Sequence, residues 1–502
     1  MDGFLGGMAI LLDPYMMAVI LAGTVIGVVV GALPGLSGST TAALLLPLTV
    51  TMTPVAGIAF LGAIYCAANF GGSITAILIN TPGDPSASAT AFDGYPLAVQ
   101  GQAGRALGMS TVASAIGGIF SVLVLLVAAP LLARMAYNFG PPEYFALAVF
   151  GLSMLAAVGG DAGIRNLISG AAGVLLATVG LDLTTGVDRF TFGMYELSEG
   201  LALVPVLTGL FAISEMLERA TQLHIIPTRL ALDAVRLPSR EDFRKCAKAI
   251  GMSSVLGTFI GILPALGATT AALISYNETK RWSKYKEEFG KGAIEGVAGP
   301  EAANNSAVGG AMVPTLALGI PGSATSAIIL AGLIVQGVRP GPHLFNEQPT
   351  LLYAVFASML ASNLLYLVMG LYAAKLFARV TLIPDALLWP AVLIFALVGA
   401  YGPNQSMVDV WVMLIFGVLG FLMRRFGFSP APMVMGLVLG TMLEETLKQS
   451  LIIFDHNPLM FFSRPIVVTL FVVTAMSIMA PLLFRMLRHM AGRRSGLNPL
   501  SE

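Results

Sequence analysis

The chain has few residues that could build a metal or redox centre. It contains two cysteines and four histidines among its 502 residues. Cys66 and Cys246 lie in unrelated sequence contexts and the histidines are far apart, so the spacing supports neither a disulfide framework nor a zinc, haem or other transition-metal site. The glycine-rich run at residues 35–40 lacks the lysine that a phosphate-binding loop requires. We therefore expect no cofactor, no direct use of ATP and no enzymatic activity.

Charged residues are also scarce. They make up 11% of the chain, whereas hydrophobic residues make up 56% and glycine occurs 56 times. This composition excludes a soluble globular protein and a nucleic-acid-binding protein. Because about 20 apolar residues span the hydrocarbon core, the long apolar stretches predict membrane-spanning helices. The alternating pattern of a β-barrel is missing, so we predict an all-α polytopic membrane protein with about 10 to 14 membrane elements.

Lysine and arginine are absent from residues 1–104 and concentrated between residues 219 and 291. Basic loops face the cytoplasm in membrane proteins, so both ends of the apolar segment 249–277 are predicted to be cytoplasmic. Leu263-Pro264 divides this segment into two pieces that are too short to cross a bilayer alone. The pattern predicts a re-entrant hairpin.

The hairpin sequence occurs twice. Residues 33–44 read LPGLSGSTTAAL and residues 263–273 read LPALGATTAAL; without Ser37, nine of eleven aligned positions are identical. The first copy has acidic and uncharged flanks, which predicts entry from the opposite side and hence two inverted-topology repeats. Two parallel repeats with a kink at each proline are the alternative. Small and hydroxyl residues at these breaks are candidate substrate ligands, unless the hydroxyls bond to helix carbonyls or permit close helix packing. The candidates are Gly35, Ser37, Gly38, Ser39, Thr40, Thr41, Gly267, Thr269 and Thr270.

A second discontinuous helix follows each hairpin. Asn69 precedes a Gly-Gly pair and the break at residues 81–83, and Asn304 precedes a Gly-Gly pair and the break at residues 320–322. A helix break inside a membrane presents N–H groups to anions and carbonyl groups to cations. The breaks therefore supply further substrate-binding candidates, namely Pro82, Gly83, Asp84, Pro321, Gly322, Ser323 and Thr325.

Residues 249–279 and 292–338 contain no lysine or arginine. An anion bound there would be held by helix N-termini, polar side chains and an accompanying cation, which predicts sodium coupling. Glu301 lies well inside the second broken helix, and an ionisable residue at that depth is a functional candidate. An ion pair, a helix-end contact and protonation at the interface are the alternatives. The coupling-ion candidates, where Na⁺ is the expected metal, are Asn69, Thr81, Glu301, Asn304, Asn305 and Ser306.

Three motifs resemble a known family. They are GALPGLSGSTTAALLLPL from residue 31, AIYCAANFGGSITAILINTPGDPSASAT from residue 63, and the long segment from residue 296 that begins GVAGPEAANNSAVGG. Together they resemble the large membrane subunit of the tripartite tricarboxylate transporters, over nearly the whole chain. Ala265 departs from the pattern of the first copy, which has Gly35, and this predicts a stiffer break or a less close approach to the ligand.

The resemblance implies a multi-pass protein of the bacterial inner membrane that imports a di- or tricarboxylate by secondary transport, driven by sodium or protons. It also implies two partners, a small four-helix membrane subunit and a periplasmic substrate-binding protein; a homo-oligomer is a further expectation. A stand-alone carboxylate carrier without a binding protein and an anion channel are the alternatives. The sequence does not identify the carboxylate.

The predicted organisation separates a moving unit from its support. Residues 1–100 and 249–345 are the two halves of a substrate-carrying unit, and residues 101–220 and 346–490 are the supporting helices. Residues 221–248 form a basic cytoplasmic linker and residues 491–502 a cytoplasmic tail. Movement of the unit against its support, as an elevator, would give alternating access; rocking is the alternative.

Overall fold

The structure, a computed structural model, describes residues 2–158, 163–182, 185–221, 235–380 and 385–494. Parts of the predicted linker (222–234) and tail (495–502) lie outside the described residues. The described part is helical apart from one short antiparallel ribbon of β1 (Gly180–Leu181) and β2 (Asp188–Arg189). The helices are α1 (Asp2–Ile10), α2 (Pro14–Gly31), α3 (Gly38–Thr49), α4 (Pro54–Ile79), α5 (Ser88–Leu97), α6 (Ala103–Ala136), α7 (Pro141–Val158), α8 (Gly163–Leu176), α9 (Leu203–Thr208), α10 (Ser214–Thr221), α11 (Arg240–Ile262), α12 (Gly267–Trp282), α13 (Ile294–Leu318), α14 (Ala324–Val335), α15 (Leu344–Glu347), α16 (Pro349–Tyr372), α17 (Ala374–Val380), α18 (Asp385–Tyr401), α19 (Met407–Arg425), α20 (Pro430–Ile453) and α21 (Pro465–Arg494).

Five helical segments of the described chain are long and apolar enough to cross a membrane. Shorter apolar helices accompany them, including α8 and α14. The predicted all-α polytopic membrane class is confirmed. The spanning segments are Pro14–Gly31, Pro54–Ile79, Pro85–Ala136, Pro349–Tyr372 and Met407–Arg425.

Both predicted hairpins contain a break at the proline. The first hairpin is α2 and α3, and the second hairpin is α11 and α12. Gly35 has φ +87° and Ala265, at the corresponding position, has φ +68°. Both residues turn the chain through the left-handed region, where glycine is unstrained and alanine is not. Ser37 then caps α3 by accepting a hydrogen bond from Thr40 N.

The second breaks also correspond. The first connector, residues 80–87, separates α4 from α5, and the second connector, residues 319–323, separates α13 from α14. Each begins with a left-handed residue, Asn80 (φ 55°) or Gly319 (φ 71°), which ends the preceding helix in the manner of a C-cap. Each half of the repeat therefore contains a broken hairpin followed by a broken long helix.

Close helix packing recurs in both halves. Gly31 lies so near the Ala68 carbonyl that a Cβ built on it would overlap that group, and Gly261 lies in the same way against Ala307. In each half the first helix of the hairpin thus packs closely against the long helix at a glycine. Small residues allow such close approach of helix backbones in membrane proteins. The halves also exchange contacts, because α14 packs against α3 and α5 packs against α12.

The chain divides into two compact units. The first comprises Met1–Tyr137 and Leu201–Arg425 and contains all the candidate site residues. The second comprises Asn138–Gly200 and Phe426–Glu502; within it, Lys448 pairs with Glu444 at 2.7 Å and with Asp182 at 2.8 Å. These units reflect packing, whereas the carrier and support predicted from the sequence are defined by movement and stay a prediction.

Candidate functional site

The first hairpin, the first connector and the first turn of α14 meet at the start of α3. The Gly38 N–H donates to Oδ2 of Asp84 at 2.8 Å, and the Ser86 N–H donates to Oδ1 of Asp84 at 2.9 Å. Asp84 therefore joins the first connector to the hairpin. A Cβ built on Gly38 would lie 4.0 Å from the Thr325 hydroxyl. The structure thus brings Gly38, Asp84 and Thr325, predicted from separate repeats, to one place.

Ser323 occupies the corresponding position in the second half. It caps α14 through reciprocal hydrogen bonds with Ser326, and a Cβ built on Gly267 would lie 3.9 Å from its Cβ. The Ser323 hydroxyl is also 2.8 Å from the hydroxyl of Tyr65 on α4. The sequence reasoning missed Tyr65, although its position four residues before Asn69 places both side chains on one helix face.

The Pro-Gly pairs of the connectors serve close backbone packing. Gly83 approaches the Gly31 carbonyl so closely that a Cβ would overlap it, and a Cβ on Gly322 would lie 2.6 Å from the Gly261 carbonyl oxygen. Pro82 and Pro321 precede these glycines in the connectors. These residues position the connectors against the hairpin helices. A ligand could bind only to their backbone groups.

The hydroxyls of the two hairpins differ in their bonding. The Ser37 hydroxyl lies 2.8 Å from that of Ser39 and 3.0 Å from that of Thr40, and Thr41 donates to the Ser37 carbonyl at 3.0 Å. The first hairpin therefore satisfies its own hydroxyls. On α12, Thr269 and Thr270 are half-buried. Their hydroxyls make no hydrogen bond within the described residues.

Three of the predicted coupling-ion residues form one buried cluster. Asn69 Nδ2 donates to the Asn304 carbonyl oxygen at 3.4 Å, and Asn304 Nδ2 donates to the Ser86 carbonyl oxygen at 3.3 Å. Asn305 Nδ2 donates to Asn304 Oδ1 and, at 3.1 Å, to the Glu301 carbonyl oxygen. The cluster joins α4, α13 and the first connector.

Two other coupling-ion candidates bond locally. The Thr81 hydroxyl donates to the Ile79 carbonyl at 3.3 Å, and the Ser306 hydroxyl donates to the Ala303 carbonyl at 3.1 Å. No hydrogen bond within the described residues connects either side chain with the asparagine cluster. Ser306 lies where α11 crosses α13 at Gly257.

Glu301 is fully buried among hydroxyls. Its carboxylate accepts hydrogen bonds from Thr90 on α5 and, at 2.7 Å, from Ser114 on α6. Ser73 on α4 and Ser110 on α6 also face it, but their buried hydroxyls meet no partner at hydrogen-bonding geometry.

None of the ion pairs in the described residues includes Glu301. The sequence reasoning did not include the four hydroxyl residues, and the four-residue spacing of Ser110 and Ser114 was the available signal.

The comparison with protein families decides the membership. The model of the tripartite tricarboxylate transporter TctA family matches residues 17–435. The chain belongs to this family. Every candidate site residue lies inside the matched range, and the resemblance predicted from the three motifs is confirmed. The protein is thus a membrane protein of a transport family rather than of an enzyme family.

Two relatives of this TctA-family chain come from Agrobacterium vitis. An uncharacterised 52.8 kDa protein in the TAR-I ttuC' 3' region is 41% identical over 451 residues, which cover 90% of each chain. An uncharacterised protein in the TAR-II ttuC' 3' region is 41% identical over 214 residues, which cover 43% of this chain and 88% of that protein. No solved structure matches the chain.

Proposed function

We propose that the protein is the large membrane subunit of a secondary transporter that imports a di- or tricarboxylate across the bacterial inner membrane. One observation carries the proposal: residues from both halves of the repeat meet in a buried polar site, through the contact of Asn69 with Asn304. Polar groups buried between helix breaks are typical of substrate and ion sites in secondary transporters. In this proposal the carboxylates bind near Gly38, Gly267, Ser323 and Thr325.

The charge of Asp84 favours coupled transport. Its carboxylate lies beside the start of α3, where an anionic substrate would be repelled unless a cation accompanied it. The oxygens of Asn69, Asn304, Asn305 and Glu301 are hard ligands of the kind that sodium accepts. The hydroxyls of Ser73 and Ser110, which face the Glu301 carboxylate, add two oxygens. These residues would hold the coupling sodium; a proton on Glu301 is the second form of coupling.

The exchange of contacts between the halves supports an inverted repeat that moves as one unit. In the proposal, residues 1–100 and 249–345 carry the substrate in an elevator movement. A crosslink between this unit and residues 349–372 that leaves uptake unchanged would contradict the movement. A small four-helix subunit and a periplasmic binding protein complete the proposed transporter, and the chain itself is a candidate homo-oligomer.

The experiment is uptake into proteoliposomes that contain both membrane subunits and the binding protein, with a panel of di- and tricarboxylates. We expect saturable uptake that requires a sodium or proton gradient and is lost in Asn69→Ala, Asn304→Ala and Glu301→Gln. Asn346→Ala and Glu241→Gln, at exposed positions, are the matched controls.

Other outcomes identify the alternatives. Normal uptake by all three site variants would overturn the site assignment. Uptake without the binding protein would favour a stand-alone carrier, and flux that neither saturates nor needs a gradient would favour a channel.

A further inference from the structure

An arginine covers the tip of the first hairpin. Arg219, on α10, lies so close to Gly35 that a Cβ built on Gly35 would overlap its guanidinium group. Gly35 is also at φ +87°, so two independent features require glycine here. In the sequence, Arg219 is the first residue of the basic region between residues 219 and 291. Only the fold brings it to the break of the first hairpin.

The guanidinium group is held at one end and free at the other. Nε of Arg219 lies 3.5 Å from Oε1 of Glu215. Oε2 of Glu215 is bound by Arg424, which also pairs with Glu218 at 3.2 Å. The terminal nitrogens of Arg219 meet no hydrogen-bond acceptor among the described residues, and its side chain is 22% exposed. The two terminal nitrogens of the Arg219 guanidinium group thus lie at the hairpin tip and remain available as hydrogen-bond donors.

The segment that leads into the helix of Arg219 packs against the hairpin. The Thr208 hydroxyl donates to the Ala43 carbonyl on α3 at 3.1 Å. Between α9 and α10 the chain forms a π-helical turn, Gly209–Ile213. Such turns change the direction of the following side chains and occur frequently at functional sites. Arg219 is therefore held at the tip by packing, without an ion pair through its terminal nitrogens.

The second hairpin differs at this position. Ala265 stands where the first hairpin has Gly35, and it turns the chain at φ +68° with a Cβ of its own. The first built Cβ contact of Gly267 is Ser323 rather than a basic residue. The tip of the first hairpin faces the end of α10, which carries the positive charge of Arg219. The basic residues that follow α10 mark that end as cytoplasmic.

We propose that Arg219 and the first hairpin tip form a second carboxylate-binding position, separate from the site at Asp84, which receives the substrate on the cytoplasmic side. The proposal rests on the proposed function. A guanidinium group binds a carboxylate through two parallel hydrogen bonds, and its planar fork cannot be replaced by lysine without loss. The ligand class is therefore a carboxylate anion. We expect loss of Arg219 to lower the affinity of the transporter for carboxylate on the cytoplasmic side.

The test is substrate counterflow in proteoliposomes of the complete complex, with citrate and succinate as probes. In Arg219→Gln the half-saturation concentration for internal carboxylate should rise about tenfold or more, the size expected for lost charged hydrogen bonds. The external value, measured with the binding protein, should change less than about twofold. Arg219→Lys should be intermediate. Arg425→Gln removes an exposed arginine on the neighbouring helix end and should match the wild type.

Equilibrium binding of the same probes to the purified chain gives a second readout that does not need transport. Wild type should show a low-affinity component that Arg219→Gln lacks and Arg425→Gln keeps. An unchanged internal half-saturation concentration with a lower maximal rate would overturn the proposal, because it would make the contact purely structural. Absence of gradient-driven carboxylate uptake by the wild type, with the Arg219-dependent binding retained, would instead contradict the proposed function.

Discussion

Nδ2 of Asn69 lies 3.4 Å from the backbone oxygen of Asn304, so corresponding residues of the two repeats meet inside the protein. The two residues follow the same Ala-Ala pair, one on α4 and the other on α13. The polar site therefore belongs to neither half alone, and each half by itself would leave buried amide groups without partners.

Gly35→Ala should destabilise the protein. The new Cβ must displace the Arg219 guanidinium, and alanine at φ +87° adds a conformational cost of about 1–2 kcal/mol. Thermal unfolding of the purified protein in detergent measures the effect. In the double variant with Arg219→Ala, the loss of stability caused by the overlap should disappear. The loss caused by the backbone conformation of alanine should remain. An equal loss of stability in the single and double variants would show that the guanidinium does not occupy this space.

Ala265→Gly should be neutral or stabilising. It removes the strain of alanine at φ +68°, about 1–2 kcal/mol, and adds about 0.4–1 kcal/mol of unfolded-chain entropy. The net gain is about 0–1.6 kcal/mol. The same thermal unfolding assay measures it, and Ala268→Gly, inside the first turn of α12, serves as the control that should destabilise. A clear loss of stability in Ala265→Gly would contradict the assigned backbone conformation.

Asp84→Ala should weaken the junction between the first hairpin and the first connector. It leaves the Gly38 and Ser86 N–H groups without their acceptor, and each buried orphan donor costs about 1–3 kcal/mol. Asp84→Asn retains one acceptor oxygen and should lose less. Thermal unfolding should rank wild type above Asn and Asn above Ala. Indistinguishable stabilities would mean that Asp84 does not hold the two segments together.

Asp93→Ala should be more severe. Oδ1 of Asp93 accepts hydrogen bonds from the N–H groups of Gly290, Gly292 and Ala293 at 2.8–2.9 Å, and Oδ2 accepts one from the Tyr276 hydroxyl. Three orphaned backbone donors predict a loss of at least about 3 kcal/mol. The yield and melting temperature of Asp93→Ala should fall well below those of Asp188→Ala, whose side chain is exposed. Equal melting temperatures would contradict the assignment.

Asp242 should make stability depend on acidity. The hydrogen bond from the Arg105 guanidinium lowers the pKa of Asp242 below its usual value. Because the pKa is lower in the folded state, the ion pair stabilises the protein at pH values above the unfolded-state pKa of about 3.9. This stabilisation is lost as the pH falls through the pKa of the folded state. Because Arg105 is 38% exposed, solvent screening limits the gain to about 1 kcal/mol.

The matched measurement compares wild type with Asp242→Asn at several pH values. The difference in unfolding temperature should be constant from about pH 7 to pH 5 and shrink below about pH 4. A difference that grows on acidification would have the wrong sign for this ion pair.

Local sequence determined much of the fold. The shortage of charge and the long apolar runs required buried backbone hydrogen bonding within each segment, hence helices. Proline, glycine and asparagine determined where most of those helices end, because these residues act through their own backbone angles. The predicted breaks at residues 33–34, 81–83, 263–264 and 320–322 follow from that. The motifs also determined the family, since they are long and cover both repeats.

The partners of the polar side chains were decided by tertiary structure alone. Glu301 meets hydroxyls from α4, α5 and α6, and Arg219 meets Gly35 across about 180 residues of sequence. The candidate hydroxyls of the first hairpin, by contrast, satisfy one another. No local spacing encodes such pairs, because they depend on which helix faces come together when the two halves pack. The sequence placed the breaks and supplied the polar residues; the packing of the helices selected which of them form a site.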